Sequence, residues 1–313
     1  MQRPSIRFRC SPADQIGQFS CNGRDQFPAL LFCPHFPSPW YRLARDEAGA
    51  DGEVKLGEDI KAIWVASVPR TGSMWTFNIV RDLVRSTGGR VLPEVVPHED
   101  EEMEAIGKAG IAASDDATYV LKVHIPISAR LEKSCFIVTQ RDPHDALVSF
   151  MRFTKCDFDY GLRFLASAIR LDRHFATFPA DRTIVLAYSD IISRPAAVIS
   201  EIGQKLSIAV DQAFADALVE RYSKSRVQAR LVEREVELKA KISSKQPVDL
   251  RDFVPSMDKS IRAFDTETGF QSGHVSAYKD GDWRNILTPA QQWAVETLIS
   301  DVRSEPVSKL VVR

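Results

Sequence analysis

Lys122 and His124 stand two residues apart in Tyr119-Val120-Leu121-Lys122-Val123-His124-Ile125-Pro126. Alternate residues of a strand share a face, so this spacing sets an ammonium beside an imidazole. Such a pair is costly to bury without a use. An imidazole takes a proton from an attacking hydroxyl, while a lysine steadies charge on the group being transferred. A second cluster, Pro69-Arg70-Thr71-Gly72-Ser73, follows the apolar run Ile63–Val68. A loop between a buried strand and a helix start offers free backbone N–H groups and a positive dipole end to an anion. Gly72 lets the backbone approach a phosphate, Arg70 adds a planar donor fork, and Thr71 and Ser73 add hydroxyls. The pattern GxxxxGK[ST] is absent, which suits a 5′-phosphate or phosphosulfate better than a magnesium-bound triphosphate. Arg141 and Ser149, eight residues apart, close a strand and enter a helix, so both can reach one phosphate. Tyr188 ends another predicted strand and can flank a purine ring. Each cluster alone has a plain structural alternative: an ordinary βα turn, a structural histidine, a capped helix with a surface arginine, a core tyrosine.

The elements that must hold these residues alternate. Short apolar runs at 63–68, 119–124, 135–139 and 183–188 read as strands buried on both faces. Each gives way to a loop or a helix start, which predicts a doubly wound, mainly parallel α/β sheet flanked by helices. The first helix carries Trp75, Ile79 and Leu83 on one face and stops at Gly88-Gly89. Asp142 and Pro143 form the N-cap and first turn of the helix that bears Ser149. Residues 211–241 read as mostly helical, and Thr288-Pro289-Ala290-Gln291 is a capping box. Residues 1–58 hold six prolines, scattered aromatics and an acidic glycine-containing stretch, and read as an irregular extension and linker before a domain at 59–313.

The 313 residues are 44% hydrophobic and 27% charged, with 41 Lys+Arg against 42 Asp+Glu. That balance argues against a nucleic-acid-coating or strongly basic membrane-surface protein, though it can hide a focused cationic pocket. No run reaches the roughly 18 apolar residues of a membrane span, and no apolar leader opens the sequence. Five cysteines without a CxxC pair give no metal cluster and no disulfide framework, so the expectation is reduced thiols in a cytoplasmic protein.

Taken together and in order, the clusters resemble the sulfotransferases that use 3′-phosphoadenosine-5′-phosphosulfate (PAPS). Residues 67–75, SVPRTGSMW, are similar to the family's phosphosulfate loop YPKSGTTW, and Lys122–Pro126 to its KTHLP. Arg141–Ser149 resembles RNPKDVAVS with its spacing kept, Ala187–Asp190 resembles FYED, and Gly281–Thr288 resembles GDWKNHFT. The resemblance implies a P-loop-NTPase-like fold and sulfuryl transfer from PAPS, without a metal, to a small-molecule, glycan or peptide acceptor. It implies that Arg70, Thr71, Gly72, Ser73 and Met74 hold the phosphosulfate and that Trp75 packs on the adenine. Arg141 and Ser149 would hold the 3′-phosphate, Tyr188 would lie near the adenine, His124 would be the base and Lys122 would contact the sulfuryl group.

Two departures stand out. Arg70 replaces the lysine of the cytosolic enzymes, and the family's RKG triplet falls on Ser276-Ala277-Tyr278, leaving His274, Lys279 or Arg284 as substitutes. A non-catalytic nucleotide- or protein-binding member and a nucleotide kinase are the alternatives. The acceptor and the oligomeric state are not written in the sequence. Residues 90–116 read as a loop, Glu99–Glu102 as its solvated part, and Phe153, Phe158, Tyr160, Phe164 and Phe253 as core or acceptor-pocket aromatics.

Overall fold

The computed structural model describes residues 60–256, 260–275 and 277–306. The expected extension at 1–58, Cys10, Cys21, Cys33 and Ser276 therefore lie outside the described residues.

Ala62–Ala66 (β1) is apolar throughout and buried at every position, as a strand covered on both faces must be. Trp64 at its centre donates its indole N–H to Ser134 Oγ at 3.1 Å, which satisfies its one polar atom. Val91–Leu92 (β2), Thr118–Val123 (β3), Ser134–Gln140 (β4) and Thr183–Ala187 (β5) complete a sheet of order β2-β3-β1-β4-β5. Every pairing in it is parallel, and helices flank it. The four anticipated strands are present within two residues of their expected ends; β2 is an addition. The chain begins in the middle strand and builds outward on both sides, so the crevice beyond the carboxyl end of β1 is the topological switch point.

Ser73–Ser86 (α1) buries Phe77, Ile79, Val80 and Leu83. Arg81 on this helix is fully buried and donates to the carbonyls of Glu267, Pro93 (3.1 Å) and Glu94 (3.3 Å). It thereby ties α1 to the two loops that border the site. Residues 90–116, expected to be a loop, contain Asp100–Ala112 (α2). This helix buries Met103 and closes directly onto the sheet at two glycines. A Cβ on Gly107 would fall 2.3 Å from Leu121 and Trp64 side-chain atoms, and one on Gly110 would fall 2.5 Å from the Tyr119 ring.

Pro143–Thr154 (α3) starts as its sequence requires, with Asp142 accepting from the His144 and Asp145 N–H groups at 2.9 and 3.3 Å. Phe158–Phe175 (α4) packs against it. Tyr188–Ser193 (α5), Pro195–Lys205 (α6), Gln212–Arg221 (α7) and Lys224–Ser243 (α8) follow, then a hairpin of Phe253–Pro255 (β6) and Ile261–Ala263 (β7). Trp283–Ile286 (α9) and Pro289–Ser304 (α10) close the described chain, α10 with its capping box between Thr288 and Gln291 in place. A second apolar cluster, including Leu147, Leu165, Tyr278, Leu287 and Val295, fixes the 278–287 segment against α3, α4 and α10. Among the described residues no helix is long and apolar enough to cross a membrane.

Candidate functional site

Immediately after β1 the chain turns through Arg70 and Gly72, both with positive φ (72° and 98°). Gly72 is the N-cap of α1, and no side chain caps that helix start nor does an acidic residue occupy its first turn. The first amide bonded back into the helix is that of Thr76, to Gly72 O at 3.0 Å. The N–H groups of Ser73, Met74 and Trp75 thus open an anion cradle at the positive end of the helix dipole. A left-handed conformation at a non-glycine residue costs about 1 kcal/mol or more. Arg70 is held there at both ends: its Nε donates to Ser149 Oγ (3.1 Å) and Nη2 to His274 O (3.2 Å), while its own carbonyl accepts from Arg141 Nη1 (2.8 Å). Burial, with Arg141 adding repulsion, pulls its guanidinium down to about 10, so it stays charged at neutral pH.

His124 follows the last residue of β3 beside this loop. Its Nδ1 lies 2.5 Å from Ser67 O. A carbonyl only accepts, so Nδ1 carries the proton and the neutral ring presents its basic lone pair at Nε2. Ser67 is itself fixed, since its Oγ accepts from Thr139 N at 2.9 Å. Burial, with Lys122 alongside, pulls the imidazole down to about 4, so the ring is neutral at pH 7. Burial also lowers Lys122, and Asp100 opposes that effect.

Asp100, read from the sequence as part of a solvated loop, is instead the organiser of this pair. One carboxylate oxygen accepts the His124 N–H at 2.9 Å and the other lies 3.8 Å from Lys122 Nζ. The signal that could have found it is its place at the first helical position of α2, where an acidic residue favours the helix dipole.

Arg141 leaves β4 and packs over the Tyr188 ring at 4.1 Å, while Tyr188 lies so close to Gly72 that a Cβ there would be 3.1 Å from its ring. Ser149 accepts from Arg70, which leaves its hydroxyl proton to donate. Arg141 is engaged on its other edge: Nε and Nη2 both donate to Asp280 Oδ1.

Arg70, Gly72, Ser73, Met74, Trp75, Lys122, His124, Arg141, Ser149 and Tyr188 all line one cavity of about 820 Å³ at the switch point. Thr71 does not join them. Its buried hydroxyl donates to Val68 O (2.7 Å) and pairs with Thr139 Oγ1 (2.6 Å), so it serves the loop and not a ligand. Of the three substitutes for the missing triplet, His274 is in the cavity wall, whereas Lys279 and Arg284 are exposed. Tyr278 faces inward and donates to Asp145. Phe153 lines the cavity with Phe150, Phe264 and Phe270, under the guanidiniums of Arg70 (4.6 Å) and Arg262 (4.2 Å). Phe158 belongs to the second cluster, Phe164 stacks on Phe150 at 3.5 Å, and Tyr160 is exposed. A smaller adjoining cavity brings Arg152 beside Arg70 and Ser149.

No protein-family model matches the chain, nor does any curated protein sequence. Solved structures do match. Mouse sulfotransferase SULT7A1 complexed with PAP aligns at a TM-score of 0.51 and 13% identity, over 81% of this chain and 87% of that one. Retinol dehydratase in a complex with retinol and PAP aligns at 0.49 and 14%, over 87% and 88%. The sulfotransferase domain of the Synechococcus PCC 7002 olefin synthase aligns at 0.39 and 15%, over 78% and 94%. At these identities the likeness is one of fold, and the first structure carries it. With its all-parallel sheet opening on a cationic cavity at the switch point, the chain has the sulfotransferase fold.

Proposed function

We propose that this chain, through the domain at 59–313, is a sulfotransferase that moves the sulfuryl group of PAPS to an acceptor hydroxyl or amine by in-line transfer. The observation that carries this is His124, neutral and with Nδ1 tied to Ser67 O, in one cavity with the uncapped start of α1 and the Arg141–Ser149 pair. The residues suit a donor charged at both ends. Backbone N–H groups of 73–75 and Arg70 would take the 5′-phosphosulfate, Arg141 and Ser149 the 3′-phosphate, with Trp75 and Tyr188 beside the adenine. The fold neighbour SULT7A1 was solved with PAP, which supports the same donor here. An 820 Å³ cavity lies near the upper end of small-molecule sites, roughly 300–1,000 Å³, which leaves space for an acceptor.

Catalysis then rests on positioning and charge stabilisation, as in phosphoryl transfer. His124 Nε2 takes the acceptor's proton as the new S–O bond forms and the bond to the 5′-phosphate breaks. Lys122 steadies the sulfuryl oxygens, and Arg70 offsets charge gathering on the departing phosphate. The donor's negative charge also raises His124 from its depressed value, making it a better base when the donor is bound. The phenylalanine wall, with Phe150, Phe153, Phe264 and Phe270, would receive the acceptor, a small molecule or a glycan or peptide side group.

The test is an acceptor screen with labelled PAPS over phenols, alcohols, glycans and tyrosyl peptides. Wild type should give labelled product. His124→Gln should lose about a hundredfold or more in rate, on the order of 3 kcal/mol, while still binding PAP. Equal turnover in the variant removes His124 as the base.

A further inference from the structure

Arg141 already has an anion. Its side chain is only 4% exposed, and its Nε and Nη2 both donate to Asp280 Oδ1, while Nη1 is spent on Arg70 O. All three guanidinium nitrogens are therefore engaged by the protein itself, and the Nε/Nη2 edge that would grip a phosphate holds Asp280. Nor is Asp280 a loose surface carboxylate. The residues that bracket it are anchored to one buried group: Tyr278 Oη donates to Asp145, and Gly281 N donates to Asp145 Oδ1 at 2.9 Å. Asp145 is in turn fixed on α3, one turn before Ser149. Burial pushes its carboxyl up to about 6, and the Tyr278 and Gly281 bonds offset part of that cost. Tyr278 also packs in the second apolar cluster. The segment that carries Asp280 is thus built to deliver a carboxylate to Arg141.

We propose that Asp280 sets the affinity for the 3′ end of the donor: it is an intramolecular carboxylate that occupies the 3′-phosphate site on Arg141 and must be displaced by the donor. This rests on the assignment of Arg141 to the 3′-phosphate made above. A carboxylate carries one negative charge, whereas a terminal phosphate carries about 1.5 to 2 and three acceptor oxygens. The phosphate therefore wins the fork, but by a smaller margin than on a vacant arginine. A nucleotide without a 3′-phosphate cannot displace Asp280, and it gains nothing from Arg141. The device thus weakens binding of 3′-phosphorylated nucleotides without touching the 5′ end of the site, and it releases the spent nucleotide faster.

Calorimetry with adenosine 3′,5′-bisphosphate (PAP), 3′-AMP and 5′-AMP tests this on wild type, Asp280→Asn, Asp280→Ser, Arg141→Ala and the Arg141→Ala/Asp280→Asn double variant. Both Asp280 substitutions should tighten PAP and 3′-AMP about tenfold or more, change 5′-AMP less than about twofold, and have no effect once Arg141 is gone. Binding of PAP to Asp280→Asn alone, with none to wild type, supports the proposal as well. Unchanged or weaker PAP binding in folded variants overturns it, as does an equal gain for 5′-AMP or persistence of the gain without Arg141. If neither PAP nor 3′-AMP binds any of the chains, Asp280 is not what guards the site and the proposal falls. Sulfotransferase activity is refuted separately, by a wild type that binds PAP and never consumes PAPS, a result that leaves the Asp280 comparison intact.

Discussion

Acidification from pH 7.5 to 5 protonates an ordinary histidine but not a folded His124. Its pKa is pulled from 6.5 to about 4 by burial and by Lys122, against the opposing pull of Asp100. Between those two values the unfolded chain holds a proton that the folded chain refuses. Stability therefore rises with pH across this window, is fully present above 6.5, and is lost as the pH falls toward 4. At pH 5 the loss from this one ring is about 2 kcal/mol relative to pH 7.5. His274 is also driven well below its ordinary value, first by burial and then by Arg70 and Lys122, and acts in the same direction. Asp145, raised by burial to about 6, acts in the opposite one. Asp145 is common to wild type and His124→Gln and cancels in a double difference, and His274 cancels apart from the smallest of its causes, the charge on His124 itself. The assay is urea unfolding of the two proteins at pH 7.5 and pH 5, with coincident probes to establish two-state behaviour. The wild type should lose about 2 kcal/mol more than the variant on acidification. Equal losses, within about 0.5 kcal/mol, would show that the ring titrates normally and that its neutral state is not imposed by the fold.

Other expectations follow from the same geometry. Asp100→Ala leaves the His124 N–H without its acceptor and Lys122 without its carboxylate at 3.8 Å. Losing a hydrogen bond to a charged group should lower kcat by about 30-fold, near 2 kcal/mol, while PAP affinity changes little; steady-state kinetics against calorimetry separates the two. Gly72→Ala forces a side chain into φ 98° with its Cβ 3.1 Å from Tyr188 and Ile191 atoms. It should cost about 1–2 kcal/mol of stability, read by denaturant midpoint. Arg141→Ala should weaken PAP at least about tenfold and 5′-AMP by a clearly smaller factor, since Nη1 also holds the Arg70 carbonyl, measured by calorimetry.

Much of this architecture is legible in the sequence because buried parallel strands are written as unbroken apolar runs. Ala62–Ala66 and Ser134–Gln140 have no competing interpretation, and Asp142-Pro143 and Thr288–Gln291 announce their helices by cap chemistry alone. What escapes is written in other terms. Helix α2 meets the sheet through Met103, Gly107 and Gly110, so glycines thin the apolar stripe by which helices are recognised, and its acidic start reads as solvated. Strands β2, β6 and β7 are two or three residues long, too short to show alternation. Residue types place Thr71 and Arg70 in the loop, but they do not say which way each side chain turns. Only the partnership with Thr139, from a distant strand, shows that the threonine serves the interior. Asp100 and Asp280 are non-local in the same way, since each is defined by a cation brought to it by the fold and not by its neighbours in sequence.

The most direct measurement is a crystal structure of the chain with PAP. The 5′-phosphate should rest on the backbone N–H groups of Ser73–Trp75 beside Arg70, and the 3′-phosphate on Arg141 and Ser149, with Asp280 displaced. A nucleotide bound outside this cavity, or with its phosphates turned away from Arg70 and Arg141, would contradict the assignment of the site.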